Sequence, residues 1–167
     1  DYTNPDAVAW LHGQMDPVMD MGVDGWKVDM GAQYLQDTVN TSKGKMPKPE
    51  FRKLYYADMY DYTTNRNPEG IIIARPYSHQ GKQASPVSKN PMGWCGDFYG
   101  NWEGLKMQIY DIYKSAEMGY GAIGCEVGGY WKTRSDKEQL IRYAQFGAMN
   151  ACMINGGTNG AFTNHLP

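Results

Sequence analysis

Two carboxylates stand where α/β enzymes place their catalytic groups. Asp29 directly follows a run that predicts a buried strand, within the sequence GVDGWKVDMG. Asp97 comes 68 positions later, in the sequence WCGD, within a loop rich in glycine and aromatic residues. Two carboxyl groups can cleave a glycosidic bond, because one transfers the proton while the other attacks the sugar. Hydrolysis of a sugar is therefore the leading hypothesis.

Predicted strands and helices alternate along the chain. Apolar residues at helical spacing predict helices, and short apolar runs bounded by glycine or proline predict strands. The predicted strands cover residues 23–28, 70–74, 92–96, the small-residue run 119–130 and residues 151–154. The predicted helices cover about residues 5–22, 49–64, 105–119 and 135–149. This alternation implies parallel strand pairing, as in a barrel or an open doubly wound sheet.

Local signals set several of these boundaries. Asn4 is a cap residue for the first helix, and Pro17 is expected to break or kink that helix. The Lys-, Gly-, Ser- and Pro-rich stretch 38–49 predicts a surface loop. Ser135 with Glu138 predicts a capping box that opens the last helix.

Composition and charge narrow the classes of partner. The 167 residues are 41% apolar and carry a formal net charge of −2, with the basic residues scattered. We therefore expect no nucleic acid partner, because nucleic acid binding requires a basic patch. No apolar run approaches the roughly 20 residues of a membrane span, so no membrane partner is expected. The chain begins at Asp1 without Met, and we expect it to be part of a larger enzyme.

Cysteine and histidine spacing does not predict a metal site. Cys95, Cys125 and Cys152 lack CxxC spacing, and we interpret them as small buried residues. No His or carboxylate pair stands at ligand spacing, so the simplest hypothesis needs neither metal nor cofactor. His12 and His79 receive no role beyond a solvated or structural one.

Taken together, several strings in order along the chain resemble the catalytic barrel of glycoside hydrolase family 31, the α-glucosidase and α-xylosidase family. These strings are GVDGWKVDM, the strand end at Arg75, WCGD, GCEVGGY and the terminal NH. The resemblance covers nearly the whole chain. It implies a (β/α)8 TIM barrel, with residues 1–167 as a single partial domain from about strand four to strand eight.

The resemblance also implies roles for individual residues. Asp29 would be the nucleophile and Asp97 the general acid/base of a retaining α-glycosidase. The implied substrate-binding residues are Arg75 and His165, which would bind hydroxyls of the −1 sugar, and Trp94 and Tyr130, which would line the pocket. Glu126 stands where the family usually has an Asp. The remainder of the barrel and accessory β-domains would complete the carbohydrate site.

Lys27 departs from the commonest family pattern, which has an aromatic residue two positions before the nucleophile. A lysine at this place is similar to the α-xylosidase-like branches. From the residues alone, Lys27 either supplies positive charge to Asp29 or binds a substrate hydroxyl. The −1 sugar therefore stays open among α-glucose, α-xylose, α-galactose and N-acetyl-α-galactosamine, and the cellular compartment is not predicted.

Two hypotheses of other classes remain. Each site residue taken singly fits a structural role, such as a turn Asp or a salt-bridged Arg, so the chain could be a catalytically incomplete carbohydrate-binding or structural fragment. A nucleotide-binding doubly wound domain shares the alternation of strands and helices. Neither a GxGxxG nor a P-loop sequence follows a predicted strand, which counts against that third hypothesis.

Overall fold

The computed structural model describes residues 1–29, 35–79, 82–131 and 136–154. The described chain forms two compact units. The first comprises Asp1–Ala74 and Ala84–Pro91, and the second comprises Arg75–Gln83 and the chain from Met92 onward.

The first unit contains two long helices and a parallel pair of strands. Its elements are α1 (Pro5–Asp20), β1 (Gly25–Lys27), β2 (Thr38–Thr41), β3 (Gly44–Pro47), α2 (Lys48–Arg66), β4 (Ile71–Ala74) and a 3-10 turn at Val87–Lys89. Strands β1 and β4 run parallel, with Trp26 opposite Ile72. The core of the unit lies between these strands and the helices, and includes Met15, Met19, Val28, Tyr56, Met59, Tyr62 and Ile72.

Helix α1 begins as the sequence predicts and ends at Asp20, close to the predicted end. The Asn4 side chain accepts hydrogen bonds from the backbone N–H of Asp6 and Ala7. The expected break at Pro17 is wrong, because α1 runs through it to Asp20. Met15 and Met19 lie buried on either side of Pro17. Their packing offsets the cost of a proline inside a helix, about 3 kcal/mol.

The predicted loop at residues 38–49 is also wrong, because it contains an antiparallel hairpin. Val39 of β2 lies opposite Met46 of β3. The Thr41 hydroxyl donates to the carbonyl of Gly44 at 2.7 Å, and Gly44 adopts φ +104°. The turn chemistry of threonine and glycine therefore closes a hairpin in a stretch whose composition alone predicts a surface loop.

Helix α2 confirms the prediction of a helix after this stretch. Its 19 residues include charged side chains along much of their length. Among the helices of the described residues, none has both the length and the apolar composition that a membrane crossing requires.

The second unit is built around three parallel strands. Its elements are β5 (Tyr77–Ser78), β6 (Lys82–Gln83), β7 (Met92–Trp94), α3 (Trp102–Glu117), β8 (Ala122–Glu126), α4 (Lys137–Gly147) and β9 (Cys152–Ile154). Strand β8 pairs in parallel with both β7 and β9, and Gly124 lies opposite Trp94 on one side and Cys152 on the other. Strands β5 and β6 form a short antiparallel pair within the predicted polar loop.

Helix α4 begins at a different cap from the predicted one. The predicted cap, Ser135, lies outside the described residues, and the observed cap is Asp136. The Asp136 carboxylate accepts from the backbone N–H of Gln139 at 2.8 Å. Asp136 thus stands three residues before Gln139, which is the same spacing of cap and N3 residue as in a capping box.

The three cysteines are free and buried, as the sequence predicts. Burial raises the pKa of the Cys125 thiol to about 12, although a hydrogen bond from Asn150 acts in the opposite direction. Burial likewise raises the pKa of Cys95 well above its usual value. A thiol with a raised pKa is a poor nucleophile, so both side chains act as small packing groups.

Candidate active site

Arg75 and Asp97 form an ion pair in the second unit. Arg75 directly follows β4, and Asp97 lies three residues beyond the end of β7. The Nη2 atom of Arg75 donates to Oδ1 of Asp97 at 3.1 Å. The Arg75 side chain is 11% exposed and that of Asp97 24%. Because both groups are largely withdrawn from water, screening weakens this pair less than a surface pair.

Trp94 also contacts the guanidinium of Arg75. The Cζ atom of Arg75 lies 5.0 Å from the centroid of the Trp94 ring, which is fully buried. A guanidinium over an indole face is held by attraction to the π-electrons. Arg75 is therefore fixed by a carboxylate and by an aromatic face, and the predicted site residues Arg75, Trp94 and Asp97 come together.

Gly96 makes room for this arrangement. Its backbone has φ +100°, a conformation that residues with a side chain rarely adopt. A Cβ atom at this position would lie 2.2 Å from Nη1 of Arg75. The glycine of the WCGD string is thus required both by the backbone and by the arginine beside it.

The Asp97 loop is tied to the glycine turn that follows β8. The carbonyl of Phe98 accepts from the backbone N–H groups of Tyr130 and Trp131, both at 2.8 Å. Tyr130 packs edge to face against Trp131, with ring centroids 5.1 Å apart. Tyr130 therefore lies on a segment bonded to the residue next to Asp97.

Glu126 ends β8 and is 1% exposed. The side chain of Gln108, on α3, donates to the backbone carbonyl of Glu126 at 3.2 Å. A carboxylate at this degree of burial is withdrawn from water, so Glu126 is not a solvated surface side chain. The predicted position of Glu126 on a small-residue strand is confirmed.

Asp29 and Lys27 belong to the first unit, at the end of β1. The backbone N–H of Val28 donates to Ile73 at 2.8 Å, and Val28 is buried. Because neighbouring strand residues point to opposite faces, Lys27 and Asp29 share the other face. Lys27 is exposed and Asp29 is partly exposed.

Two features of the sites were not predicted from the sequence. The Tyr55 hydroxyl, on α2, donates to the backbone carbonyl of Asp29 at 2.6 Å. In the second unit, Nδ1 of His79 lies 2.8 Å from Oδ2 of Asp111. The apolar helix face that contains Tyr55 predicts burial only, and His79 gave no signal besides its place four residues after Arg75. The predicted site residue His165 lies outside the described residues.

Comparison with known proteins assigns the chain to a family. Residues 1–165 match the family model of the glycosyl hydrolases family 31 TIM-barrel domain. An alpha-xylosidase of Emericella nidulans is 26% identical over 158 residues, which are 90% of this chain and 19% of that protein. The chain thus spans about one fifth of the length of this relative.

Solved structures share the fold. The cycloalternan-forming enzyme from Listeria monocytogenes, in complex with a pentasaccharide substrate, superposes with a TM-score of 0.80 at 18% identity. The match covers 100% of this chain and 15% of that one. A family 31 sulfoquinovosidase from E. rectale, in complex with an aza-sugar inhibitor, gives a TM-score of 0.76 at 20% identity. This match covers 98% of this chain and 25% of that one.

The family match confirms the predicted class of fold, a (β/α) barrel, and the predicted class of protein, a glycoside hydrolase. The parallel strands of each unit, with helices between them in the chain, agree with that class. The chain therefore belongs to glycoside hydrolase family 31 and forms part of its TIM-barrel domain.

Proposed function

We propose that the protein is a retaining α-glycosidase in which Asp29 is the nucleophile and Asp97 the general acid/base. The observation that carries the proposal is the pair of Arg75 and Asp97 beside the buried Trp94, in a chain of this family. Arg75, Asp97 and Asp29 each lie within three residues of the end of a parallel strand. In TIM barrels, the carboxyl ends of the strands supply the catalytic residues.

The first half of the reaction forms a covalent intermediate. The carboxylate of Asp29 attacks the anomeric carbon, and the bond from that carbon to the glycosidic oxygen breaks. The protonated carboxyl of Asp97 gives its proton to the departing oxygen, so the leaving group departs as a neutral alcohol. The products of this step are the alcohol and a sugar esterified to Asp29.

In the second half of the reaction, Asp97 acts as the base and Asp29 is the leaving group. Asp97, now a carboxylate, takes a proton from water, and the water oxygen attacks the anomeric carbon. The bond from the sugar to Asp29 breaks and restores its carboxylate. Two displacements at one carbon return the original configuration, so the released sugar is the α-anomer.

Arg75 both positions Asp97 and contacts the sugar in this proposal. A guanidinium carries five N–H donors in a rigid fork, so one can bond Asp97 while others reach a hydroxyl. Contact with the Trp94 ring fixes the plane of that fork. The remaining substrate-binding residues of the proposal are Lys27, Trp94, Glu126, Tyr130 and His165.

An α-xyloside is the first substrate to test. The relative from Emericella nidulans is named an alpha-xylosidase. Lys27 stands two positions before the proposed nucleophile and is exposed, where it can meet a substrate hydroxyl. α-Glucosides, α-galactosides and N-acetyl-α-galactosaminides are the alternatives within the same mechanism.

We also propose that residues 1–167 act as one part of a single catalytic barrel domain. The chain covers 15% and 25% of the two solved chains described above. The proposed partners of this part are the remaining strands of the barrel and accessory β-domains, with a carbohydrate as substrate. Experiments on activity therefore use the full protein that contains this chain.

A panel of aryl α-glycosides of the four sugars tests the proposal. One of them should be hydrolysed, the α-anomer should appear first by NMR, and Asp29→Ala should abolish turnover. Asp6→Ala, on the exposed first turn of α1, is the matched control and should keep the full rate. A β-anomer released first, or full activity of Asp29→Ala, would overturn the mechanism.

A further inference from the structure

A histidine and a buried carboxylate form a pair close to the Asp97 loop. Asp111 lies on α3 and is completely buried. Its Oδ2 atom is 2.8 Å from Nδ1 of His79, and both of its oxygens accept from the backbone N–H of His79, at 3.2 and 3.0 Å. Burial raises the pKa of Asp111, and the hydrogen bonds from His79 act against that rise.

These contacts fix the orientation of the imidazole ring. A carboxylate acceptor at Nδ1 favours the tautomer with a proton on that nitrogen. The His79 side chain is 31% exposed, whereas Asp111 is not exposed at all. Since Nδ1 bonds the buried carboxylate, Nε2 is the ring nitrogen left to contact a ligand.

The ring contacts the residue that follows the proposed acid/base. Its centroid lies 5.1 Å from that of Phe98, the residue after Asp97. Phe98 is 3% exposed, so this contact has little room to shift. His79 also lies four residues after Arg75, which bonds Asp97 directly. The pair of His79 and the buried Asp111 therefore places an imidazole ring against the loop that contains Asp97.

We propose that His79 is a further substrate-binding residue, whose Nε2 hydrogen-bonds a hydroxyl of the bound sugar, and that Asp111 is its positioning residue. A neutral imidazole with its proton on Nδ1 has an acceptor at Nε2, which suits a hydroxyl donor. This inference rests on the proposed function, because it assigns a contact at that same site.

A purely structural role is the rival explanation. The bonds from His79 to Asp111 also tie the segment after β5 to α3, together with a bond of 3.3 Å from the Tyr77 N–H to the Ser115 hydroxyl. A structural role requires only the Nδ1 side of the ring. Recognition of a hydroxyl requires the Nε2 side. Substitutions that replace one ring nitrogen at a time therefore distinguish the two explanations.

Two variants of the full protein each keep the hydrogen bond of one ring nitrogen and remove that of the other. In His79→Asn the side-chain amide can replace Nδ1 and keep the bond to Asp111, but nothing replaces Nε2. In His79→Gln the longer amide can reach the Nε2 position, but the Nδ1 bond is lost. With the aryl α-glycoside cleaved best, His79→Asn should raise KM about three- to tenfold, with Tm nearly unchanged. His79→Gln should lower Tm and change KM less.

Deoxy substrates identify the contact. A set of aryl glycosides, each lacking one sugar hydroxyl, would be compared with the parent glycoside. One of them should bind the wild-type protein more weakly than the parent does. His79→Asn should bind that deoxy glycoside and the parent equally well. Asp111→Asn replaces the charged acceptor of the imidazole with a neutral amide, which holds the ring less firmly, so KM should rise as well. This variant gives a second test if His79→Asn does not fold.

Unchanged KM in His79→Asn and Asp111→Asn, with hydrolysis that still depends on Asp29, would overturn this inference and leave the proposed function intact. A lower Tm in all three variants with unchanged KM would also overturn this inference and leave the proposed function intact. No hydrolysis of any glycoside by the wild-type protein would overturn the proposed function, and this inference with it.

Discussion

The hydroxyl of Tyr55 donates a 2.6 Å hydrogen bond to the backbone carbonyl of Asp29. The bond connects the middle of α2 to the residue that follows the buried Val28 at the end of β1. Tyr55 is itself held among aromatic rings, 5.3 Å from Tyr2 and 4.9 Å from Tyr56. The proposed nucleophile is thus positioned through its backbone by a packed side chain.

Tyr55→Phe removes this bond and keeps the ring. We expect kcat to fall about three- to tenfold with little change in KM, because the carboxylate is less well placed and sugar contacts remain. Stability should fall by about 1 kcal/mol, measurable by urea unfolding. Tyr113→Phe removes a hydroxyl from an exposed ring and is the control. Equal kcat values for the two variants would argue against a positioning role.

The same tyrosine predicts a response to alkaline pH. Burial, with the charge of Asp29 as a second cause, raises the pKa of Tyr55 to about 12 from an unfolded value of 10.0. Between these values the unfolded chain loses the proton while the folded protein keeps it, so stability falls as pH rises. The stability of Tyr55→Phe should fall less over that window than that of the wild type. An equal fall in the stability of both proteins over this pH range would contradict the pKa shift of Tyr55.

Gly96→Ala tests the ion pair of Arg75 and Asp97. The new Cβ atom would collide with Nη1 of Arg75, and alanine disfavours φ +100°. We expect kcat/KM to fall roughly 10²-fold, since a displaced Arg75 misplaces the acid/base. Gly121→Ala is the control, because nothing lies within 4 Å of a Cβ atom there. Wild-type activity in Gly96→Ala would show that the pair is not needed.

Asp97→Ala tests the proton transfer. Loss of a general acid typically costs about 10²- to 10⁴-fold. The loss should be large for alkyl α-glycosides and smaller for nitrophenyl α-glycosides, whose leaving group needs no proton. Azide should speed the nitrophenyl reaction and give the α-glycosyl azide, because it replaces the water that Asp97 activates. The same loss for every leaving group would contradict an acid/base role.

The alternation of strands and helices is the part of the fold that follows most directly from the sequence. Short apolar runs with glycine boundaries predicted β4, β7 and β8, and helical spacing predicted α2 and α3. The break predicted at Pro17 and the loop predicted at residues 38–49 were wrong for different reasons. Tertiary packing outweighs the intrinsic cost of Pro17, whereas a local threonine and glycine turn organises the hairpin within a polar composition.

The sequence supplies candidate residues for the site and not their contacts. Strand ends single out Asp29 and Asp97 as candidates, because strand periodicity is a local property, whereas the role of Arg75 comes from the family resemblance. The bond of Arg75 to Asp97 joins residues 22 positions apart in the sequence, and no local pattern specifies which carboxylate an arginine meets. The pairing of His79 with Asp111 depends in the same way on tertiary packing.

The most direct test of the central claim is to trap the sugar on the protein. The full protein would be incubated with a 5-fluoro α-glycosyl fluoride of the sugar that the aryl panel selects, then digested and analysed by peptide mass spectrometry. The account predicts one covalent sugar, attached to the peptide that contains Asp29, and none in Asp29→Ala. A sugar on a different carboxylate, or no adduct on an active protein, would contradict Asp29 as the nucleophile of a retaining glycosidase.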